Sequence, residues 1–316
     1  MAINRVPGAT DFGSSSSNKY TPVLYAMELL EKFYKSTVFS DIANTRYQGQ
    51  ISKQGDKVII RTRPDVTIFD YVKGMNLRDK RQSPDSPNIE LTIDYAKAYS
   101  LNIDDIDDLQ TDINLMEEWA YDGGQQLGIQ IDRSILNSMY TSAHASNKGA
   151  TAGAVSGSYV MGVTGTPIQV TTSNALDLIM DADAILTEQD VPITDRWIVL
   201  PGWYCNLLQK GDLQRADVAG YNTGGDINQM IRNGKLGTLS NFTVYSSNNY
   251  VPVADSTHSC YNIVFGQKSA LTFASQLVKN RTFPDPDSFA TIMDGLQVYG
   301  WSVPKPEALG VLYAYK

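Results

Sequence analysis

Two histidines, His144 and His258, and two cysteines, Cys205 and Cys260, are the groups best suited to acid–base or nucleophilic chemistry in the 316 residues. Either residue type acts catalytically only when a second group orients it or shifts its pKa. His144 borders a glycine-rich stretch and His258 lies in the polar run Asp255–Ser259, so both read as surface residues. Cys205 sits in the largely apolar Trp203–Leu208 and reads as a buried thiol; two cysteines make no disulfide framework. The densest carboxylates are Asp104, Asp105, Asp107, Asp108 and Asp112. A hard cation needs several converging oxygens, and an EF-hand loop needs ligands at alternate positions, a terminal Glu and a central glycine, and this run lacks that glycine. As the opening of a helix these residues interact favourably with its dipole, each by about 0.3–1 kcal/mol. Asp181/Asp183 and Glu117/Glu118 are one or two apart, do not face each other on a helix, and read as solvated faces. No two glycines are two apart, which excludes GxGxxG, and Gly234-Lys235 is followed by Leu236, which excludes a Walker loop. GxSxG, HExxH and CxxC are absent. The expectation is a non-enzyme with no catalytic residue, metal or cofactor.

Bulk properties agree. At 42% hydrophobic and 19% charged residues the composition is globular, with length for two or three core-sized units. A net charge of −8 repels phosphate, which argues against adhesion to nucleic acid through a basic patch but suits an acidic lining beside packed DNA. Met1–Tyr20 has no apolar secretory core and no run is long enough to span a membrane, so a reducing cytosol and no membrane partner are expected.

The elements that would position any site are unusually long. From Ile89 to Ile103 apolar residues occupy almost every odd position, with Lys97 the exception. Read as one strand, this stretch spans roughly 50 Å. Ile106, Leu109, Ile113, Met116, Ala120, Leu127, Ile131, Ile135 and Met139 then follow helical spacing. A helix from Asp105 to Ser142 would be about 57 Å long. A compact globule of this length is only about 50 Å across, so the chain reads as flat, elongated and made for an assembly. Gly123, Gly124 and Gly128 fall mid-helix, where the helix could bend or be closely approached.

Upstream, residues 1–20 read as a mobile arm and Thr21–Ser36 as a helix. Gly55–Arg61 reads as a strand that, with the long strand, would frame a charged tip over Lys73–Pro87: an extended β-arm. Downstream, Ser146–Pro167 reads as loop plus short strands. An α/β pattern follows: a helix capped at Ser173-Asn174 with Asp177 as capping-box partner, a buried strand at Trp197–Leu200, a helix from Pro201, a loop at Lys210–Asp226 and a strand ending at Tyr245. Tyr261–Phe265, Gln297–Tyr299 and Gly310–Tyr315 read as further strands.

This order of parts resembles the major capsid protein of tailed bacteriophages, the Hong Kong 97-type fold. Trp197–Leu208, Gly234–Asn249 and Phe283–Leu312, with Gly295-Leu-Gln-Val-Tyr-Gly300 and Pro304-Lys-Pro-Glu-Ala-Leu309, are similar to its axial-domain strand and helix, its returning strand and the closing strands of short-tailed-phage coat proteins. The resemblance implies an α+β chain with an N-terminal arm at 1–47, a β-hairpin E-loop at 48–98, a peripheral domain at 99–172 with a spine helix at 105–142, an α/β axial domain at 173–250, and return strands at 251–316. It implies that Arg61, Lys73, Arg78, Asp79, Lys80, Arg81 and Asp85 contact an adjacent subunit, and that the spine helix flexes at Gly123, Gly124 and Gly128. It further implies hexamers and pentamers, a separate scaffolding protein, a portal, DNA enclosed without sequence-specific binding, assembly in a host cytoplasm, and residence in the virion. A nanocompartment shell of the same fold and an enzyme with a site at Lys210–Asp226 are the alternatives.

Overall fold

The computed structural model describes residues 34–35, 37–46, 57–61, 66–83, 88–105, 115–211 and 237–316. The expected helix Thr21–Ser36 (apart from Tyr34 and Lys35), the carboxylates Asp107, Asp108 and Asp112, Asp85, and the loop after Gly211 lie outside these residues. In chain order the elements are α1 (Phe39–Ile42), β1 (Lys57–Arg61), β2 (Asn88–Thr92), β3 (Tyr95–Asp104), α2 (Leu115–Leu136), β4 (Ile168–Gln169), α3 (Ala175–Glu188), β5 (Arg196–Leu200), α4 (Gly202–Lys210), β6 (Thr238–Leu239), β7 (Phe242–Ser246), β8 (Val253–Asp255), β9 (His258–Gln267), β10 (Thr272–Pro284), β11 (Ala290–Ser302) and β12 (Leu309–Tyr315). They form a β1–β2 hairpin, a three-stranded antiparallel sheet β10–β11–β3, and a mixed sheet β4–β12–β9–β5–β7–β6 with β8 beside β9. The apolar run Trp197–Leu200 becomes the interior strand β5, buried throughout and paired parallel to β7 and antiparallel to β9. One core joins this mixed sheet to α2, α3 and α4.

The fifteen-residue strand is in fact two. Ile93 and Asp94 break it, so that β2 pairs with β1 while β3 pairs with β11. Alternation reports which face is buried, and Leu91, Ile93 and Ile103 are indeed buried, but it does not reveal which neighbour completes the backbone ladder. At the break, Thr92 Oγ1 donates to the Asp94 carboxylate at 2.7 Å, and a Cβ on Gly300 of β11 would collide with the Thr92 carbonyl.

The long helix is shorter than its apolar stripe. It ends at Leu136, where Asn137 Nδ2 donates to the Arg133 carbonyl (2.6 Å) and the Ser138 hydroxyl to those of Ser134 and Ile135. These side chains take up terminal carbonyls that a continuing helix would have used. A 3-10 turn, Met139–Ser142, then keeps Met139 on the buried side, which is why the spacing looked continuous. The 22 residues of α2 span about 33 Å.

The capping box is also corrected: Asn174 stands at the N-cap of α3, but its side chain faces backwards, accepting from Thr171 N (2.7 Å) and donating to the Gln169 carbonyl (2.9 Å). Asp183 is not merely solvated; it pairs with the buried Arg196 and accepts from Ser240 and Asn241, tying α3 to the β6–β7 turn. Strand β10 carries no clear strand signal in its sequence, because a bulge between Ser275 and Leu277 resets its alternation and Lys279, Asn280 and Arg281 make it polar.

Two contacts fix how these parts meet. Tyr99 lies opposite Gly295, with its ring between that glycine and Gly123 of α2. A Cβ at Gly295 would collide with the ring, and one at Gly123 would lie 2.9 Å from it. Asp132, fully buried on α2, accepts from Val38 N (3.0 Å), Phe39 N (2.9 Å) and Asn249 Nδ2, joining the segment before α1 and the chain after β7 to the helix. Burial pushes its carboxyl above the usual range, against the opposing pull of these donors.

Gly295→Ala is expected to lower unfolding free energy by about 1–3 kcal/mol through overpacking, and Tyr99→Leu in the same chain to recover part of it; urea melts of the three proteins check this. Asp132→Ala is expected to cost about 1–3 kcal/mol by stranding buried donors. A carboxyl whose pKa is raised on folding contributes stability that is complete below the ordinary carboxylate range and lost as pH rises through the folded value. Stability should therefore show a downward component above about pH 4 that Asp132→Asn removes, as read from denaturant melts across pH.

Candidate assembly surface

The charged arm begins on a short ladder. β1 and β2 pair from Lys57↔Thr92 to Arg61↔Asn88, and Ile60, Leu91, Ile93 and Ala274 form a small core at the base, with Ile89 and Val298 against it. Beyond the ladder, Gln82 serves as a side-chain substitute for a strand partner, donating to the Thr67 carbonyl (2.6 Å) while accepting from Thr67 N (2.9 Å). Gly74, at φ +89°, makes the turn, with Met75 N donating to the Val72 carbonyl. A 3-10 turn, Leu77–Lys80, follows, capped by Asn76 Oδ1 on Arg78 N at 2.9 Å. The arm is thus closed on itself by local bonds, and it carries exposed apolar side chains.

Lys73 sits in the glycine turn, Arg78, Asp79 and Lys80 in the 3-10 turn, Arg81 just after it, and Arg61 at the last rung of β1. Lys73, Arg78, Lys80 and Arg81 are exposed and have no ion-pair partner among the described residues. The exposed Lys57–Glu90 pair at the base (3.3 Å) contributes at most about 1 kcal/mol. Charge alone misses the larger feature of this arm. Val66, Ile68, Phe69, Tyr71, Val72 and Leu77 are all exposed, Ile68 by 90%. Removing such side chains from water is worth about 1.5–3 kcal/mol each. The signal was present as the β-branched and aromatic run Val66–Val72, but without clean alternation it names no buried face.

The glycines of α2 differ from one another. Gly123 makes room for Tyr99, Gly128 approaches only Thr37 at 3.9 Å, and Gly124 has nothing within 4 Å. On the open face of β3–β11–β10 a cleft of about 580 Å³ is lined by Ala98, Ser100, Lys279, Arg281, Asp294 and Leu296. Asp294 is held below the usual carboxylate range by the Ser100 hydroxyl and by Arg281 at 2.8 Å. A second, of about 460 Å³, lies among Tyr140, Lys148, Val163, Asn262 and Tyr313. Neither lining contains a histidine or cysteine to act as base or nucleophile. His144 is half-buried, accepting from Ser146 N, and His258 is exposed and stacked on Tyr315. Cys205 and Cys260 are buried and unpaired, and burial pushes the Cys205 thiol up. Among the described residues no group of three or more His, Cys, Asp or Glu could hold a metal, and no helix is long and apolar enough to cross a membrane.

No family model and no curated protein matches the sequence. Solved structures do match. A chain from Mycobacterium phage Che8 superposes with a TM-score of 0.70 at 26% identity, covering 93% of this chain and 97% of that one. The capsid of cyanophage P-SCSP1u gives 0.66 at 15% identity (98% and 100% covered), and that of Ralstonia phage GP4 gives 0.66 at 14% (97% and 98%). With an α+β architecture, a β-hairpin arm and a long helix on an antiparallel sheet, the chain has the Hong Kong 97-type fold of tailed-phage capsid proteins.

Proposed function

We propose that this protein is the major capsid protein of a tailed phage. Its copies join as hexamers and pentamers and close into an icosahedral head around double-stranded DNA. The observation that carries this reading is the arm, which is held by local hydrogen bonds and puts six large apolar side chains in water, on a chain whose fold is that of phage capsid proteins. Those side chains would gain burial against another copy, and Lys73, Arg78, Lys80 and Arg81, which have no ion-pair partner among the described residues, flank them. Charge pairs at such a rim contribute about 0–1 kcal/mol each, so cohesion rests on summed apolar area. The net charge of −8 suits a wall that encloses DNA without gripping it.

In this reading, 48–98 is the E-loop, 99–172 the peripheral domain with α2 as spine, 173–250 the axial domain, 251–316 the return strands, and 1–47 the N-terminal arm. A separate scaffolding protein and a portal complete assembly in the host cytoplasm. Flexure of the spine belongs to Gly124 and Gly128, whose surroundings leave space, more than to Gly123, which is packed.

The protein expressed with and without a co-expressed scaffold should form spherical particles in the electron microscope; uniform small species would favour an enzyme, and shells filled with protein cargo a nanocompartment. Deleting Met75–Asp85 should leave subunits with an unchanged thermal melt that no longer form closed shells. Normal particles from that variant would refute the role of the arm.

A further inference from the structure

The groove of about 460 Å³ lies where Tyr313 of β12 stands opposite Asn262 of β9, between the 3-10 turn that carries Tyr140 and the glycine-rich stretch that carries Val163. Its walls are fastened to the sheet. Met161 N donates to the Gly149 carbonyl (2.7 Å), and Tyr313 N donates to the Met161 carbonyl (2.8 Å). The glycine-rich wall bends at Gly149 (φ +95°) and Gly162 (φ +76°), and a Cβ on Gly162 would collide with the Tyr313 carbonyl. The Asp255 carboxylate accepts from Gly165 N (2.7 Å) and from the Tyr313 hydroxyl (3.2 Å), which ties that wall to the ring. A site held in this way has little ordering entropy left to lose on binding.

Three groups in this groove lack the partners that their chemistry calls for. The half-buried Asn262 amide and the Tyr140 hydroxyl make no hydrogen bond among the described residues. Lys148 Nζ reaches the Thr141 carbonyl (3.3 Å) but has no ion-pair partner there. It is the one charged residue among the described lining, on a chain whose net charge is −8. Val163, Val311 and the two tyrosine rings supply apolar walls. A side-chain amide on an open sheet face offers a donor and an acceptor side by side, which matches a peptide unit of an extended chain. A lone ammonium matches a carboxylate. We propose that this groove binds a short extended segment of another protein, with an aliphatic side chain against Val163 and Val311, a carboxylate at Lys148 and a backbone amide at Asn262. Such binding is independent of how copies of the chain join.

A bead-displayed library of random hexapeptides, probed with the labelled full chain, tests this. The parent should enrich peptides with Asp or Glu one or two residues from Val, Ile or Leu by about fivefold over the input. Lys148→Glu should shift the preference to Lys and Arg, because like charges then oppose. Asn262→Leu should weaken the parent's best peptide by about tenfold through the lost hydrogen bonds. Thermal melts confirm that both variants are folded, and the charge reversal at Lys148 decides the matter if Asn262→Leu is not. No enrichment by the parent, or the same enrichment by Lys148→Glu, overturns the proposal. Enrichment of the Asp190–Asp195 sequence, where Ile193 is 57% exposed between two carboxylates, would make the occupant a second copy and overturn the foreign partner. Anilinonaphthalene sulfonate bound by the parent and lost in Lys148→Glu, with no peptide enriched, would make it a site for small apolar anions and overturn the protein segment.

Discussion

Strand β11 is the member on which the extended parts of the molecule depend. It pairs with β10 from Thr291 to Ser302 along one edge and with β3 from Ala290 to Tyr299 along the other, so most of its length is laddered on both sides. Two of its glycines allow the close approaches that attach everything else. Gly300 admits the Thr92 carbonyl where the arm leaves the body, and Gly295 admits the Tyr99 ring that seats α2. A side chain at either place would lift the arm or the helix away from the sheet. The arm can project into water because its root is held by this beam and by the small core around Leu91 and Ala274.

A second tie, polar rather than apolar, holds the beam and helix to the mixed sheet. Asp132 gathers donors from the segment before α1 and from Asn249, while Asn137, just past the end of the same helix, bonds the backbone of Asn249 and Val251. These bonds give direction where apolar contact alone would allow sliding. They also place a charge where burial opposes ionisation, so the joint is strong in geometry and costly in electrostatics. Arg196 plays the corresponding part inside the mixed sheet, donating to Asp183 of α3 and to the Val191 and Pro192 carbonyls before β5, while Asp183 accepts from Ser240 in the β6–β7 turn.

The surface has a division of labour suited to assembly. Large apolar side chains concentrate on the arm, Val66–Leu77, and recur at the isolated tip of Phe289. The arm carries Lys73, Arg78, Lys80 and Arg81 with Asp70 and Asp79, and the Phe289 tip lies among Asp285 and Asp287. Exposed apolar patches of this size on a folded chain mark surfaces suited to contact with other chains.

Much of this was legible in the residues themselves. Period-two and helical spacing located β3 and α2, short apolar runs located β5 and β12, and no His or Cys stands in a catalytic motif. Those signals are local: they depend on which side of an element meets water, and each side chain records that. What the spacing could not contain was the partner. That Ile93 and Asp94 divide one alternating run between two sheets, that Gly123 accommodates Tyr99, that Asn137 and Ser138 stop the helix before its stripe ends, and that β10 exists at all depend on residues far away in the chain. Burial is written one residue at a time, whereas a ladder or a close approach is a property of two segments at once, so only the tertiary structure could decide it.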